Sequence, residues 1–357
     1  MVGRFASRAR RIGALVVGVA LAAVLAEFAS AAVAPGLRAR TNPQSRPAPS
    51  ATATPPAYAL YGGGYMPIPP SSSSSAGYVT DMLVFDGGKA LRSARLRFPE
   101  DYSFYYEAAP FVISDKFVFQ ADATYHRIYA WQIGTGGITY SFKRLGVIQA
   151  MAADAAGALY VLDTGRVFVY KPRHVKPDLT IVDGASGATS IVVDRLGYLY
   201  VGGPNGVSVY AAGSATPMET ITQGIDGFVS MAVGGKERLY VASSSTDAIT
   251  AYAFGSTTSD ETITAGLQSV GSIAVGPTGT LYADAGGGTI TEYDKGGTTL
   301  SRTISLPGCC GAAIVVGPDD TLFALASRIY SFPSQATQWK QQIRLGFGYQ
   351  LGIGPPW

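Results

Sequence analysis

Apolar residues along this chain fall into short runs with a two-residue period. In Arg166–Tyr170 (R-V-F-V-Y) and Gly206–Tyr210 (G-V-S-V-Y) the alternation predicts strands that pack one face against a neighbour. Runs such as Ala313–Val316 (A-I-V-V) are continuously apolar, which predicts strands covered on both faces. Turn segments separate the runs, as in Gly276–Gly279 (G-P-T-G) and Gly317–Asp320 (G-P-D-D). Pro fixes φ in such turns and Gly admits positive values.

The runs recur in units. Ser190–Thr222, Ser230–Thr264 and Ser272–Ser305 each hold an apolar strand, a turn, an L-Y strand, a polar turn, an alternating strand ending in an aromatic, and an outer strand near an Ile. Three markers keep one step. Second-strand positions run Val79, Val118, Tyr160, Tyr200, Tyr240, Tyr282, Phe323. Third-strand aromatics run Phe85, Trp131, Tyr170, Tyr210, Tyr252, Tyr293, Phe332, and outer Ile residues run Ile181, Ile221, Ile263, Ile304, Ile343. A step of about forty residues is that of a four-stranded propeller blade.

The ends complete the pattern. Gly77–Phe85 reads as the second and third strands of a unit that lacks its first, and Tyr349–Trp357 reads as a first strand with its turn. Pairing the two would close the ring and remove its free inner edge. The expected fold is all-β: a single β-propeller of seven four-stranded blades, with six as the rival count because Asp101–Ala130 is the least regular unit.

Ser190–Gly202, Ser272–Asp284 and Ala313–Ala324 resemble the NHL and YVTN families of propeller repeats. The resemblance covers Gly77 to the end. It implies a binding platform for protein, carbohydrate or nucleic acid, while some relatives are lactonases or lyases. The G-H and W-D dipeptides of WD40 repeats do not recur at the repeat step.

Upstream of the repeats, residues 1–31 carry Arg4, Arg8, Arg10 and Arg11, then an apolar run Ile12–Leu25, then Ala29-Ser30-Ala31. That is the plan of a cleaved secretory signal. A retained anchor is the competing reading, but the run is shorter than the roughly twenty residues a bilayer core needs. Residues 32–76 are rich in Pro, Ser, Ala, Thr and Gly and are expected to form a disordered linker, either a tether or an unstructured leader. Residues 77–357 are expected to form the propeller.

The chain has 27 basic and 24 acidic residues; without the first 31 residues the counts are 23 and 23. A neutral body excludes the electrostatic footprint of a nucleic-acid binder. The two histidines, His126 and His174, fall in different units, so no metal site is expected. No nucleophile elbow, zinc-protease helix or phosphate-binding loop occurs. Asp154 and Asp194 follow first strands at matching places and are read as turn formers. Cys309 and Cys310, the two cysteines, are adjacent; export favours oxidation, and they are disulfide candidates, with each other or between molecules, the alternative being two thiols packed in a Gly-rich turn.

Repeat alignment places several side chains on the face that carries the outer-to-inner loops. They are Tyr105, Tyr106, Glu107, Asp226, Phe228, Cys309, Cys310 and Tyr349, joined by Tyr125 and His126 from a second-to-third-strand loop. Tyrosine, with its flat apolar body and polar tip, suits peptides or sugars. The expected function is an exported, monomeric binding or scaffold module in the periplasm, at the cell surface or outside the cell. Its partner is an unspecified protein or carbohydrate, with no cofactor, no nucleic acid and no stable membrane insertion after signal cleavage. The alternative is a lactonase- or lyase-like hydrolase with a channel metal. It would require metal ligands at the first-strand starts, which are Ala150, Ser190, Ser230, Ser272 and Ala313.

Overall fold

The computed structural model describes residues 58–68, 77–86, 89–90, 96–97, 110–122, 125–143, 145–234, 238–296, 299–307, 313–326, 328–343 and 347–354. Near the N-terminus run β1 (Ala59–Ile68), β2 (Gly77–Asp86) and the short β3 (Lys89–Ala90) and β4 (Leu96–Arg97).

Six antiparallel blades follow, each of four strands in chain order from the axis outwards. Blade 1 holds β5 (Phe111–Ile113), β6 (Phe117–Asp122), β7 (Arg127–Gln132) and β8 (Ile138–Phe142). Blade 2 holds β9 (Ile148–Ala153), β10 (Leu159–Asp163), β11 (Arg166–Tyr170) and β12 (Leu179–Ile181). Blade 3 holds β13 (Ser190–Val193), β14 (Leu199–Gly203), β15 (Gly206–Tyr210) and β16 (Glu219–Ile221). Blade 4 holds β17 (Phe228–Val233), β18 (Leu239–Ser243), β19 (Ala248–Tyr252) and β20 (Glu261–Ile263). Blade 5 holds β21 (Ile273–Val275), β22 (Leu281–Gly286), β23 (Thr289–Tyr293) and β24 (Leu300–Ser305). Blade 6 holds β25 (Ala313–Val316), β26 (Leu322–Leu325), β27 (Ile329–Phe332) and β28 (Gln341–Ile343).

The last strand, β29 (Phe347–Gly354), pairs with β1, and β1 pairs with β2. The first and last described strands therefore share one sheet. The innermost strands touch in an unbroken cycle: β29 meets β5, β5 meets β9, and so on through β13, β17, β21 and β25 back to β29.

Two expectations are corrected here. Seven four-stranded blades were expected, with six as the rival count; among the described residues six sheets have four strands, and the closing sheet has five, in the order β29-β1-β2-β3 with β4 also on β2. The propeller also begins before Gly77. Val79 and Phe85 lie on one strand, β2, and the second-strand place is taken by Ala59–Ile68, inside the segment expected to be linker. Three consecutive glycines and Pro67 hide any apolar period in β1. Pairing on both edges, to β2 and to β29, makes it a strand.

Packing explains the repeat. In blades 2–5 the Leu of the L-Y dipeptide lies opposite the third-strand aromatic: Leu159 opposite Tyr170, Leu199 opposite Tyr210, Leu239 opposite Tyr252, Leu281 opposite Tyr293. Side chains alternate across a strand, so Leu and Tyr face different neighbours. Tyr160 packs with Leu199 and Tyr210 of blade 3. Tyr200 packs with Leu239 and Tyr252 of blade 4, and Tyr240 with Leu281 and Tyr293 of blade 5. The closing sheet joins the same scheme, with Tyr61 against Trp131 on one side and Leu60 and Leu351 against Phe323 on the other. In blade 1, Val118 lies opposite Trp131, so Phe119 is the counterpart of Tyr160. The Val118 marker is thus one residue out of phase.

Candidate functional site

The outer-to-inner loops and the second-to-third-strand turns share one face, and the loops entering blades 2 to 5 are each tied to the second strand, or the turn after it, of the blade they enter. Entering blade 2, Gly146 N–H donates to Asp163 Oδ2 at 2.8 Å and Thr164 N–H to Val147 O. Entering blade 3, Thr189 N–H donates to Gly202 O at 2.8 Å. Entering blade 4, Ser244 N–H and its hydroxyl both donate to Gly227 O, and Asp226 N–H reaches Ser243 Oγ. Entering blade 5, Gly271 N–H donates to Asp284 O at 2.8 Å, with Gln268 and Ser269 on Ala285 O.

Tyr125 and His126 stand on this face, both exposed. His126 has a positive φ of 51°, a conformation that few residues other than Gly adopt. Two contacts hold it: Leu145 N–H donates to His126 O, and His126 Nδ1 lies 3.0 Å from Gly146 O. Tyr125 N–H donates to the buried Asp122, and the Arg127 guanidinium lies 5.7 Å from the Tyr125 ring centre. Asp163 is fully buried; its Oδ2 also meets Arg166 at 3.5 Å, and its Oδ1 has no hydrogen-bond partner.

The other sequence-predicted residues separate. Asp226 is exposed beside the blade 4 turn. Phe228 is half-buried and packs against the core between blades 3 and 4. Tyr349 lies in β29 at a bulge, where the register with β1 steps from Gln350 to Gly348. Tyr105, Tyr106, Glu107, Cys309 and Cys310 lie outside the described residues. His174 sits on the opposite face, with Nδ1 2.9 Å from Asp178. Asp154 and Asp194 form turns as expected: Asp154 accepts from Ala158 N–H, and Asp194 accepts from Leu196 and Tyr198 N–H groups. Among the described residues no three His, Cys, Asp or Glu side chains converge as metal ligands, and no helix is long and apolar enough to cross a membrane.

The sequence reading missed one constellation. On the opposite face, between blades 5 and 6, a cleft of about 570 Å³ is lined by polar side chains, Glu292 and Arg302 among them. Arg302 Nε donates to Glu292 Oε2 at 2.7 Å, and Nη2 donates to the same oxygen. The pair is nearly buried, with side-chain exposures of 12% and 8%, and Arg302 Nη1 has no hydrogen-bond partner. The signal was legible: Glu292 precedes its third-strand aromatic, where other units carry Ala130, Val169, Val209, Ala251 and Ser331.

Comparison with protein-family models and with curated proteins gives no match. Among solved structures, the chain is similar to the WD40 β-propeller domain of Doa1 at 12% identity, with a TM-score of 0.56 over 66% of this chain and 82% of that one. At that identity the likeness concerns architecture alone, and it agrees with the ring of sheets: the chain folds as a β-propeller, a fold compatible with a binding or scaffold module.

Proposed function

We propose that this chain is an exported, NHL-like propeller that binds a protein or glycan partner on the face of the outer-to-inner loops. The observation that carries the reading is the tie between the loops entering blades 2 to 5 and the end of the second strand, or its turn, in the same blade. A surface fixed in this way loses little conformational freedom when a partner docks. Exposed Tyr125, His126 and Asp226 supply an aromatic face and polar tips on that rim. Residues 1–31 serve as the export signal, removed before the propeller works outside the cytoplasm.

The test is co-purification from the native host's envelope fraction. The tagged wild-type chain should retain a defined partner. A variant carrying Tyr125→Ala, Asp226→Ala, Tyr105→Ala and Tyr106→Ala should lose it with its melting temperature unchanged. A variant that keeps the partner at wild-type yield would remove this face from consideration.

A further inference from the structure

A ring of repeats provides internal controls, because each blade shows what its neighbour would carry by default. At the position where blade 5 has Glu292, blades 1 to 4 have Ala130, Val169, Val209 and Ala251. Opposite it on the outer strand, where blade 5 has Arg302, blades 2, 3 and 4 have Leu179, Glu219 and Glu261. Blade 5 alone among these buries an ion pair at this site. Burying both charges costs desolvation that an apolar pair avoids, so stability does not explain the exchange.

The ion pair lies in the wall of the cleft between blades 5 and 6. Its volume falls in the range of small-ligand sites, roughly 300–1,000 Å³. Hydroxyls of Thr278, Ser301 and Ser334 share the lining. Thr278 Oγ1 donates to Asp320 Oδ1 at 3.2 Å, which ties the blade 5 turn to the blade 6 turn beside the cleft. Two cations, Lys295 and Arg302, face three carboxylates, Glu292, Asp294 and Asp320. That balance opposes an anionic ligand. The mixture of fixed donors and acceptors matches a ligand that is uncharged and carries many hydroxyls, each of which donates and accepts.

We propose that this cleft is a saccharide site that takes one or two neutral sugar units, with the Glu292–Arg302 pair as its rigid hydrogen-bonding anchor. It lies on the face opposite the partner rim, so the two readings stand or fall separately.

Ligand-observed NMR and calorimetry on the full chain test it, with D-glucose, D-galactose, N-acetylglucosamine, D-glucuronate and inorganic phosphate as probes. At least one neutral sugar should bind with a Kd of about 1 mM or tighter. Glu292→Val with Arg302→Glu copies the Val209 and Glu219 pattern of blade 3 and should weaken that sugar at least tenfold. Ser301→Trp, which leaves the ion pair intact and blocks the mouth, should do the same and serves if the double variant fails to fold. No saturable neutral sugar, binding of phosphate or glucuronate alone, or unchanged affinity in the folded variants would overturn the proposal.

Discussion

The phenol of Tyr293 donates a 2.7 Å hydrogen bond to the carbonyl oxygen of Ala265, in the loop that arrives from blade 4. The same latch joins Tyr210 to Asp183 O and Tyr252 to Gln223 O. Blade 6 has Phe332 at this place, without a hydroxyl. Tyr330, two residues earlier and therefore on the same face, reaches Pro307 O at 3.5 Å instead. In blades 3 to 5 the third-strand aromatic thus packs between blades and also satisfies a loop carbonyl.

Tyr293→Phe should cost about 1 kcal/mol, the net worth of one such hydrogen bond, while the ring keeps its packing. Urea unfolding measures it. An unchanged midpoint would show that water replaces the phenol at Ala265.

Gly202 and Phe228 form a tight contact between blades 3 and 4. A Cβ on Gly202 would stand 2.7 Å from Phe228 Cε2. Gly202→Ala should therefore destabilise by about 1–3 kcal/mol through overpacking. With Phe228→Ala also present the closest clash is removed, so the two changes should couple by about 1 kcal/mol or more. Strict additivity in a double-mutant cycle would contradict this geometry.

Ring closure depends on β1. A chain starting at residue 58 should melt as the full chain does. One starting at residue 77 loses the strand between β2 and β29, leaves Trp131 without Tyr61 and Phe323 without Leu60, and exposes two sheet edges. It should aggregate or unfold at 37 °C, about body temperature, where a marginal domain cannot absorb such a loss. Equal melting of the two truncations would refute the closing role of β1.

Alkaline pH should unfold the ring through its tyrosines. Burial raises Tyr170, with a smaller push from Asp163, and raises Tyr252, both from 10.0 to about 12. Below pH 10.0 both folded and unfolded chains keep these protons, so the contribution is fully present. Between about 10 and 12 the unfolded chain ionises first and binds fewer protons, and stability falls with rising pH. The slope is about 1.4 kcal/mol per pH unit for each such tyrosine. Tyrosine ultraviolet titration followed beside circular dichroism should show delayed ionisation that is released together with β-structure. Ordinary ionisation before any loss of structure would sink this account.

The repeat was readable because each blade solves one packing problem. Leu must face back and Tyr forward at every step, so the L-Y dipeptides and the aromatics Tyr170, Tyr210, Tyr252 and Tyr293 recur in sequence. The aspartate turns were readable for a local reason, since Asp154 and Asp194 bond within four residues of themselves. How far Phe228 is buried was not readable, because an aromatic looks the same in sequence whether it fills a core or faces a partner; the close approach of Gly202 packs it half-buried between blades 3 and 4.

By itself, then, the sequence determined the fold class and the unit, because these follow from local alternation repeated at a fixed step; it pointed to a sheet shared by the N- and C-terminal strands but named Gly77–Phe85 as the partner of the last strand, where Ala59–Ile68 stands. Tertiary structure alone decided the rest. It drew Ala59–Ile68 into the closing sheet by pairing both edges of a segment with no period of its own. It brought Glu292, Arg302 and the turns of two blades around one cleft, since residues scattered from Thr278 to Gln335 become neighbours only when blade 5 stacks on blade 6.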